Sequence, residues 1–177
     1  MSRPQLLIDK GEIEKAIRRL AREIRRDLQS TNPILICILK GSFVFVADLV
    51  RALDMPLEVE FVSLSSYGSG TQTSGKVKLR LGPVSPVAGR HVLVVEDIVD
   101  TGITVDYLLK YLRRKHPASL RLCALLDKAA RRQVAVPIDY LGFTVPNRFI
   151  VGYGIDWNER FRYLPHICFI GDKESGD

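Results

Sequence analysis

Residues 92–104 read Val-Leu-Val-Val-Glu-Asp-Ile-Val-Asp-Thr-Gly-Ile-Thr. Three acids, Glu96, Asp97 and Asp100, fall within five positions, and Thr101, Gly102, Ile103 and Thr104 follow them. Residues 92–95 form an apolar run rich in β-branched side chains, the pattern of a strand buried on both faces of a parallel sheet. Beyond the acids, Val105, Leu108, Leu109 and Leu112 recur at helical spacing. Residues 96–102 therefore read as a loop from the carboxyl end of a strand to the amino end of a helix. Free backbone N–H groups and the helix dipole favour an anion at such a point. Gly102 permits close backbone approach or a positive φ, and Thr101 and Thr104 add hydroxyl donors. The acids would repel a phosphate laid on them; they suit sugar hydroxyls or a divalent cation. A phosphorylated sugar with magnesium satisfies both halves. A capped helix also explains Asp100 or Thr101, but it employs one acid of the three, and crowded unpaired acids cost stability.

Other segments carry candidate chemistry, each with a plainer reading beside it. Leu39-Lys40-Gly41-Ser42 joins a strand-like run to a helix-like one. Its amides could hold pyrophosphate oxygens, with Gly41 leaving room; a simple turn with Lys40 in solvent fits as well. Residues 65–75 are small and polar except for Tyr67 and contain three glycines. Such a segment cannot pack a core of its own, so it is a hairpin connection or a lid in which Ser66 and Tyr67 cover a ligand. Lys128 follows the apolar run 120–126, with Arg131 and Arg132 close behind; a surface lysine after a strand is the bland alternative. Phe149 could stack on a flat base or simply fill the core.

These loops need elements to position them. The pattern predicts helices over 10–29, 42–53 (with Ser42 as a possible N-cap) and 104–114. It predicts strands over 34–39, 57–64, 77–81, 92–95, 120–126, 140–144, 149–151 and 167–170, and a solvated tail over 172–177. Alternating strands and helices imply an α/β fold with a mostly parallel central sheet flanked by helices. Ligands collect at the carboxyl ends of such strands, where the loops after Leu39, Val95 and Leu126 all begin.

A length of 177 residues suits a single domain spanning 1–177 with a sizeable core. No apolar run approaches a membrane span, and the N-terminus lacks an apolar signal core, which points to the cytoplasm. Cys37, Cys123 and Cys168 each sit in an apolar run without metal-ligand spacing, so buried free thiols are expected. His91, His116 and His166 are scattered and are assigned no chemistry. The net charge is +6. Arg18, Arg19, Arg22, Arg25 and Arg26 crowd the first helix, whose apolar stripe is Ile13, Ile17, Leu20, Ile24 and Leu28. Its arginines read first as a solvated face paired with Glu14 and Glu23, and a nucleic-acid surface is the less favoured reading.

Residues 94–104 resemble the diphosphate-sugar motif of the type I phosphoribosyltransferases, which transfer a ribosyl 5-phosphate from phosphoribosyl pyrophosphate (PRPP) to a nitrogen base. The remaining motifs resemble the hypoxanthine-guanine branch. They are Leu39-Lys40-Gly41, Ser65-Ser66-Tyr67-Gly68, Leu126-Asp127-Lys128 with Arg131-Arg132, and Phe149-Ile150-Val151-Gly152-Tyr153-Gly154-Ile155-Asp156 with Asn158-Glu159 and Arg162. The likeness runs from about residue 6 to 170, in the family's order.

The resemblance implies a small hood over the sheet, a mobile lid at 65–75, a magnesium-dependent reaction and a homodimer or homotetramer. Glu96 and Asp97 would meet the ribose 2- and 3-hydroxyls directly or through magnesium. The 5-phosphate would rest on Asp100, Thr101, Gly102, Ile103 and Thr104. Asp100 would exchange a proton with N7 of the purine. Lys40, Gly41, Arg132 and Arg162 would face pyrophosphate, and the peptide before Lys40 can be cis. Lys128 would donate to O6 of a 6-oxopurine, Phe149 would stack on the base and Ile150 would offer backbone groups to its edge. Asp156 lies in the same base-reading segment and would be a ligand of the pyrophosphate-bound magnesium. Ala129 stands where the family often has proline, and Trp157 where it commonly has tyrosine. A xanthine-preferring relative and an RNA-binding regulator of pyrimidine genes share the fold. Lys128 and residues 149–156 favour a purine base.

Overall fold

The computed structural model describes residues 3–66, 77–82 and 85–171. Tyr67 and the rest of the expected lid, and the tail 172–177, lie outside the described residues. The first helix, α1 (Lys10–Leu28), starts where local chemistry dictates. The Asp9 carboxylate accepts from the Glu12 amide at 2.8 Å, and the Glu12 carboxylate accepts from the Asp9 amide at 2.9 Å. This reciprocal box satisfies two of the helix's free donors. Ile13, Ile17, Leu20, Ile24 and Leu28 are all buried. On the other face Arg18 and Arg19 pair with Glu14 and Glu23.

A six-stranded sheet forms the centre, in the order β4-β3-β2-β5-β6-β7. Its strands are β2 (Ile34–Leu39), β3 (Glu58–Ser66), β4 (Val77–Leu81), β5 (His91–Val99), β6 (Ser119–Asp127) and β7 (Tyr140–Thr144). All neighbours run parallel except β3 and β4. Two more helices, α2 (Phe43–Leu53) and α3 (Ile103–Arg113), complete the crossovers. The period of two in β5 divides its side chains between two cores. Leu93 and Val95 join Leu20, Ile24, Leu35 and Leu49 on one face, whereas Val92 and Val94 join Leu108, Leu112 and Leu122 on the other. That double burial is why residues 92–95 carry no polar alternation. Replacing Leu20, which has no exposure, by Ala should cost about 2–5 kcal/mol. A lower urea midpoint at unchanged slope would register it.

A second sheet is antiparallel, with order β1-β9-β8, built from β1 (Gln5–Ile8), β8 (Phe149–Val151) and β9 (Ile167–Ile170). Strand β1 was not expected from the sequence: four residues carry too short a pattern, and its pairing partner lies at the other end of the chain.

Three local expectations change. Strand β5 does not end before the acids but continues to Val99, because β6 offers Ala124, Leu126 and Asp127 as partners to Glu96, Ile98 and Val99. Helix α3 begins one residue earlier, with Gly102 at its start and φ of +85°. Ser42 occupies the start of α2 but makes no capping bond. It is fully buried, donates to the Ile38 carbonyl at 2.5 Å and lies 3.0 Å from Cys37 Sγ. All three cysteines are free and buried, and burial pushes the Cys37 thiol up to about 11. Among the described residues no helix is long and apolar enough to cross a membrane.

Candidate functional site

The carboxyl ends of β2, β5 and β6 are where the polar residues gather. After β2, the peptide between Leu39 and Lys40 is cis. Gly41 then passes so close to β5 that a Cβ on it would stand 1.7 Å from Asp97 Oδ2. Gly154, at φ of +96°, presses on Gly41 in turn: its Cβ would lie 2.3 Å from the Gly41 carbonyl oxygen. Two glycines therefore let three distant segments stack backbone on carboxylate.

Asp97 is buried at 8% exposure, and its Oδ1 accepts from the Ile98 amide at 2.8 Å. Burial pushes its carboxyl up to about 6, against the amide and the Arg162 guanidinium, which favour the charge. The Glu96 carboxyl is pushed well above the usual range by burial and then by the neighbouring Asp97. Its Oε2 is buried without a partner. Two adjacent carboxyls in low dielectric hold a proton between them when nothing positive faces them.

The next turn builds a second cluster. A single 3-10 turn, Ala129–Arg131, follows Lys128. It brings Arg131 Nη1 to 3.2 Å from Asp100 Oδ2, with Lys128 Nζ at 3.8 Å from the same oxygen. Lys128 is only 6% exposed; burial pulls its ammonium down, and Asp100 opposes that. Arg132 pairs with Asp127 and reaches the Val99 carbonyl at 3.3 Å. The Thr101 carbonyl accepts from the Gln133 and Val134 amides, which ties this segment to the start of α3. Gly102 is required there, since a Cβ would come within 2.4 Å of the Val134 carbonyl oxygen. Ile103 and Thr104 are half-buried at the head of α3.

The third part comes from β8 and the residues after it. Phe149 leaves 51% of its surface exposed, so it does not fill the core, while Ile150 beside it is buried. Arg162 is held from three sides: Nη1 donates to the Gly154 carbonyl at 2.8 Å, and Nη2 lies 2.8 Å from Asp156 and 3.0 Å from Glu159. Glu159 also accepts from Lys40 Nζ at 2.7 Å. The two cations hold its carboxyl below the usual range, Lys40 more strongly.

The structure thus joins Lys40, Gly41, Asp97, Asp156 and Arg162 in one contact network, and Asp100 and Lys128 in a second beside Arg132. Phe149 and Ile150 ride on the small sheet. Ser66 ends β3. Glu96, Asp97 and Asp156 do not converge: among the described residues no three acidic, histidine or cysteine side chains gather as a metal ligand set. Asp156 instead faces Arg162. The donors still suit magnesium, because a buried carboxylate pair with an orphaned oxygen offers hard ligands and the ion takes most others from substrate and water. A cavity of about 480 Å³ lies elsewhere, lined by Phe43, Val44, Tyr153, Tyr163, Leu164 and Pro165, and shares only Arg162 with the expected site.

The buried side-chain polar atoms without a partner, among the described residues, are Glu96 Oε2, Asp100 Oδ1 and Arg132 Nη1. All belong to the expected site. Native interiors pair such atoms, so orphans mark groups reserved for something else. Sequence reasoning missed the bridging role of Glu159, Asp127 on Arg132 and Asp48 on the Tyr153 hydroxyl. Asp127 and Arg132 are near neighbours in sequence, a signal available beforehand; nothing local links Lys40 to Glu159.

Residues 7–158 match the family model described as the phosphoribosyl transferase domain. The chain is 41% identical over 163 residues to the hypoxanthine-guanine phosphoribosyltransferase of Bacillus subtilis, covering 92% of this chain and 91% of that one. It is 44% identical over 163 residues to the bifunctional protein TilS/HprT of Listeria innocua, where it spans only 25% of the relative's length. A crystal structure of a hypoxanthine-guanine phosphoribosyltransferase from Bacillus anthracis superposes with a TM-score of 0.91 at 41% identity, covering 97% of this chain and 100% of that one. With the acidic strand end, the lysine turn and the small sheet all in place, the chain belongs to the phosphoribosyltransferase family, in its hypoxanthine-guanine branch.

Proposed function

We propose that this chain transfers the 5-phosphoribosyl group of PRPP to hypoxanthine or guanine, yielding IMP or GMP and pyrophosphate in purine salvage. The observation that carries the reading is the set of orphaned atoms on Glu96, Asp100 and Arg132. They are the groups expected to meet ribose, purine and pyrophosphate respectively.

The donor lies across the strand ends. Its 5-phosphate takes the amides and hydroxyls of residues 100–104, and its ribose hydroxyls face Glu96 and Asp97. Lys40, Gly41, Arg132 and Arg162 receive the pyrophosphate. The base stacks on the exposed Phe149, a contact worth about 1–3 kcal/mol by analogy with nucleic-acid stacking, and Ile150 offers backbone groups to its edge. Lys128 donates to the exocyclic oxygen. An adenine amino group cannot accept that bond, and a buried charge left unpaired discriminates strongly. N9 then attacks C1 of the ribose as the C1–O bond to pyrophosphate breaks, while Asp100 Oδ1 takes up the purine proton at N7. Lysine and arginine neutralise charge on the leaving group. Glu96 and Asp97 on the ribose side and Asp156 separately on the pyrophosphate side would hold magnesium, which when bound supplies further neutralisation of pyrophosphate oxygens. The cation-like ribosyl carbon must be kept from water, the task given to the lid at residues 65–75, in which Ser66 and Tyr67 would cover the ligand.

The 177 residues act as one domain. Exposed Phe43, Val59, Phe61 and Tyr163 support a homodimer or homotetramer, and the free cysteines support the reducing cytoplasm. Radiolabelled hypoxanthine, guanine, xanthine, adenine and uracil, each with PRPP and magnesium, test the assignment. Nucleotide from hypoxanthine and guanine, with none from adenine or uracil, is the expected result. Conversion of xanthine alone, or of no base, overturns it.

A further inference from the structure

Four contacts draw on the five N–H donors of the Arg162 guanidinium in the arrangement described above. Its Nη1 is held by the Gly154 carbonyl, Nη2 by Asp156 and Glu159, and Nε by Glu159 at 3.3 Å. Lys40 donates to the other oxygen of the same Glu159 carboxylate at 2.7 Å. One carboxylate therefore spans both cations as two phosphate oxygens would. An anion that bridges Lys40 and Arg162 where Glu159 now does must displace that carboxylate, which is anchored less firmly than the neighbouring Asp156. The Asp156 side chain keeps 29% of its surface exposed and accepts a backbone amide as well, whereas the Glu159 side chain keeps 65%. Its backbone is also unusual. Asn158, Glu159 and Phe161 all have left-handed φ values, +51°, +61° and +73°. Non-glycine residues adopt that region at a cost and cluster in it at ligand clamps.

We propose that Glu159 is an internal counter-ion of the pyrophosphate site, holding Lys40 and Arg162 in the free protein and yielding them to the donor's pyrophosphate. This rests on the assignment of those two cations to pyrophosphate. The carboxylate keeps the cations apart and oriented without a ligand. It also sets the affinity for pyrophosphate, because every binding event breaks its ion pairs and every release restores them. Product departure is thereby assisted by a group already in place.

Calorimetry on the full chain with inorganic pyrophosphate and magnesium, and with PRPP and magnesium, tests this on the wild type, Glu159→Gln and Glu159→Ala. Removing the competing charge should tighten pyrophosphate and PRPP binding by about three- to tenfold. Steady-state kinetics should show KM for PRPP and kcat falling together, as pyrophosphate leaves more slowly. A residue that merely shaped the loop would weaken binding when changed, so unchanged or weaker binding in whichever variant keeps the wild-type circular dichroism overturns the counter-ion role. A wild-type protein that binds neither ligand overturns the assignment of the site itself, and the counter-ion role with it.

Discussion

Asp100→Asn should lower kcat by about 10²- to 10⁴-fold, the range for losing a positioned proton acceptor, while leaving PRPP affinity nearly unchanged. The two oxygens of Asp100 do different things. Oδ2 faces Arg131 and Lys128, and Oδ1 is buried with no partner. An asparagine keeps the volume and turns its amide oxygen towards the two cations, because an NH₂ there would meet only donors. The NH₂ then occupies the place of Oδ1, where it donates a hydrogen bond but accepts no proton. The 5-phosphate contacts, made by the backbone of the same turn, survive. Single-turnover kinetics beside PRPP calorimetry separate the two effects. A normal turnover rate in this variant would remove Asp100 from the proton transfer.

The second large effect has opposite signs in stability and in function. Asp97→Asn should stabilise the ligand-free protein at neutral pH and cripple donor binding. The folded carboxyl titrates at about 6, above its ordinary 3.8, so between those values the folded state binds more protons than the unfolded one. Stability contributed by this group is therefore present below pH 4 and lost as the pH climbs to 6. Above that the full cost of a buried carboxylate beside Glu96 remains, on the order of 2–3 kcal/mol. The amide removes that cost and donates to Glu96. For a chain of this size the gain corresponds to a Tm rise of about 4–12 °C, shrinking towards zero near pH 4. With PRPP and magnesium the order inverts, because only the wild type retains the charge the complex uses. Thermal melts across pH 4–8, with and without ligand, check both halves. A variant less stable than wild type at pH 7.5 would show that Asp97 is not under charge strain.

Much of this arrangement could be read before any fold was known. Apart from β1, the order of strands and helices followed from apolar periodicity, with boundaries within a few residues, since each run carries its own pattern. The Val92–Val95 stretch announced a doubly buried strand because no polar residue interrupts it. The misjudged end of β5 is instructive. Polar acids at 96 and 97 look like a loop locally, yet a parallel neighbour of equal length keeps the ladder going beneath them. Ser42 looked like a helix cap and turned inward, because the Ile38 carbonyl and Cys37 lay within its reach.

Residue types and short spacings by themselves determined where acids, glycines and cations stand along the chain, and so the class of ligand they suit; these are properties of a few consecutive positions. Tertiary structure alone decided which of them share charge. Lys40 meets Glu159 across 119 positions, Gly154 seats against Gly41, and Glu96 Oε2 loses its solvent, and the carboxyl with it its ordinary acidity. Pairing between remote segments and removal of water arise only when the whole chain closes, and no local pattern encodes either.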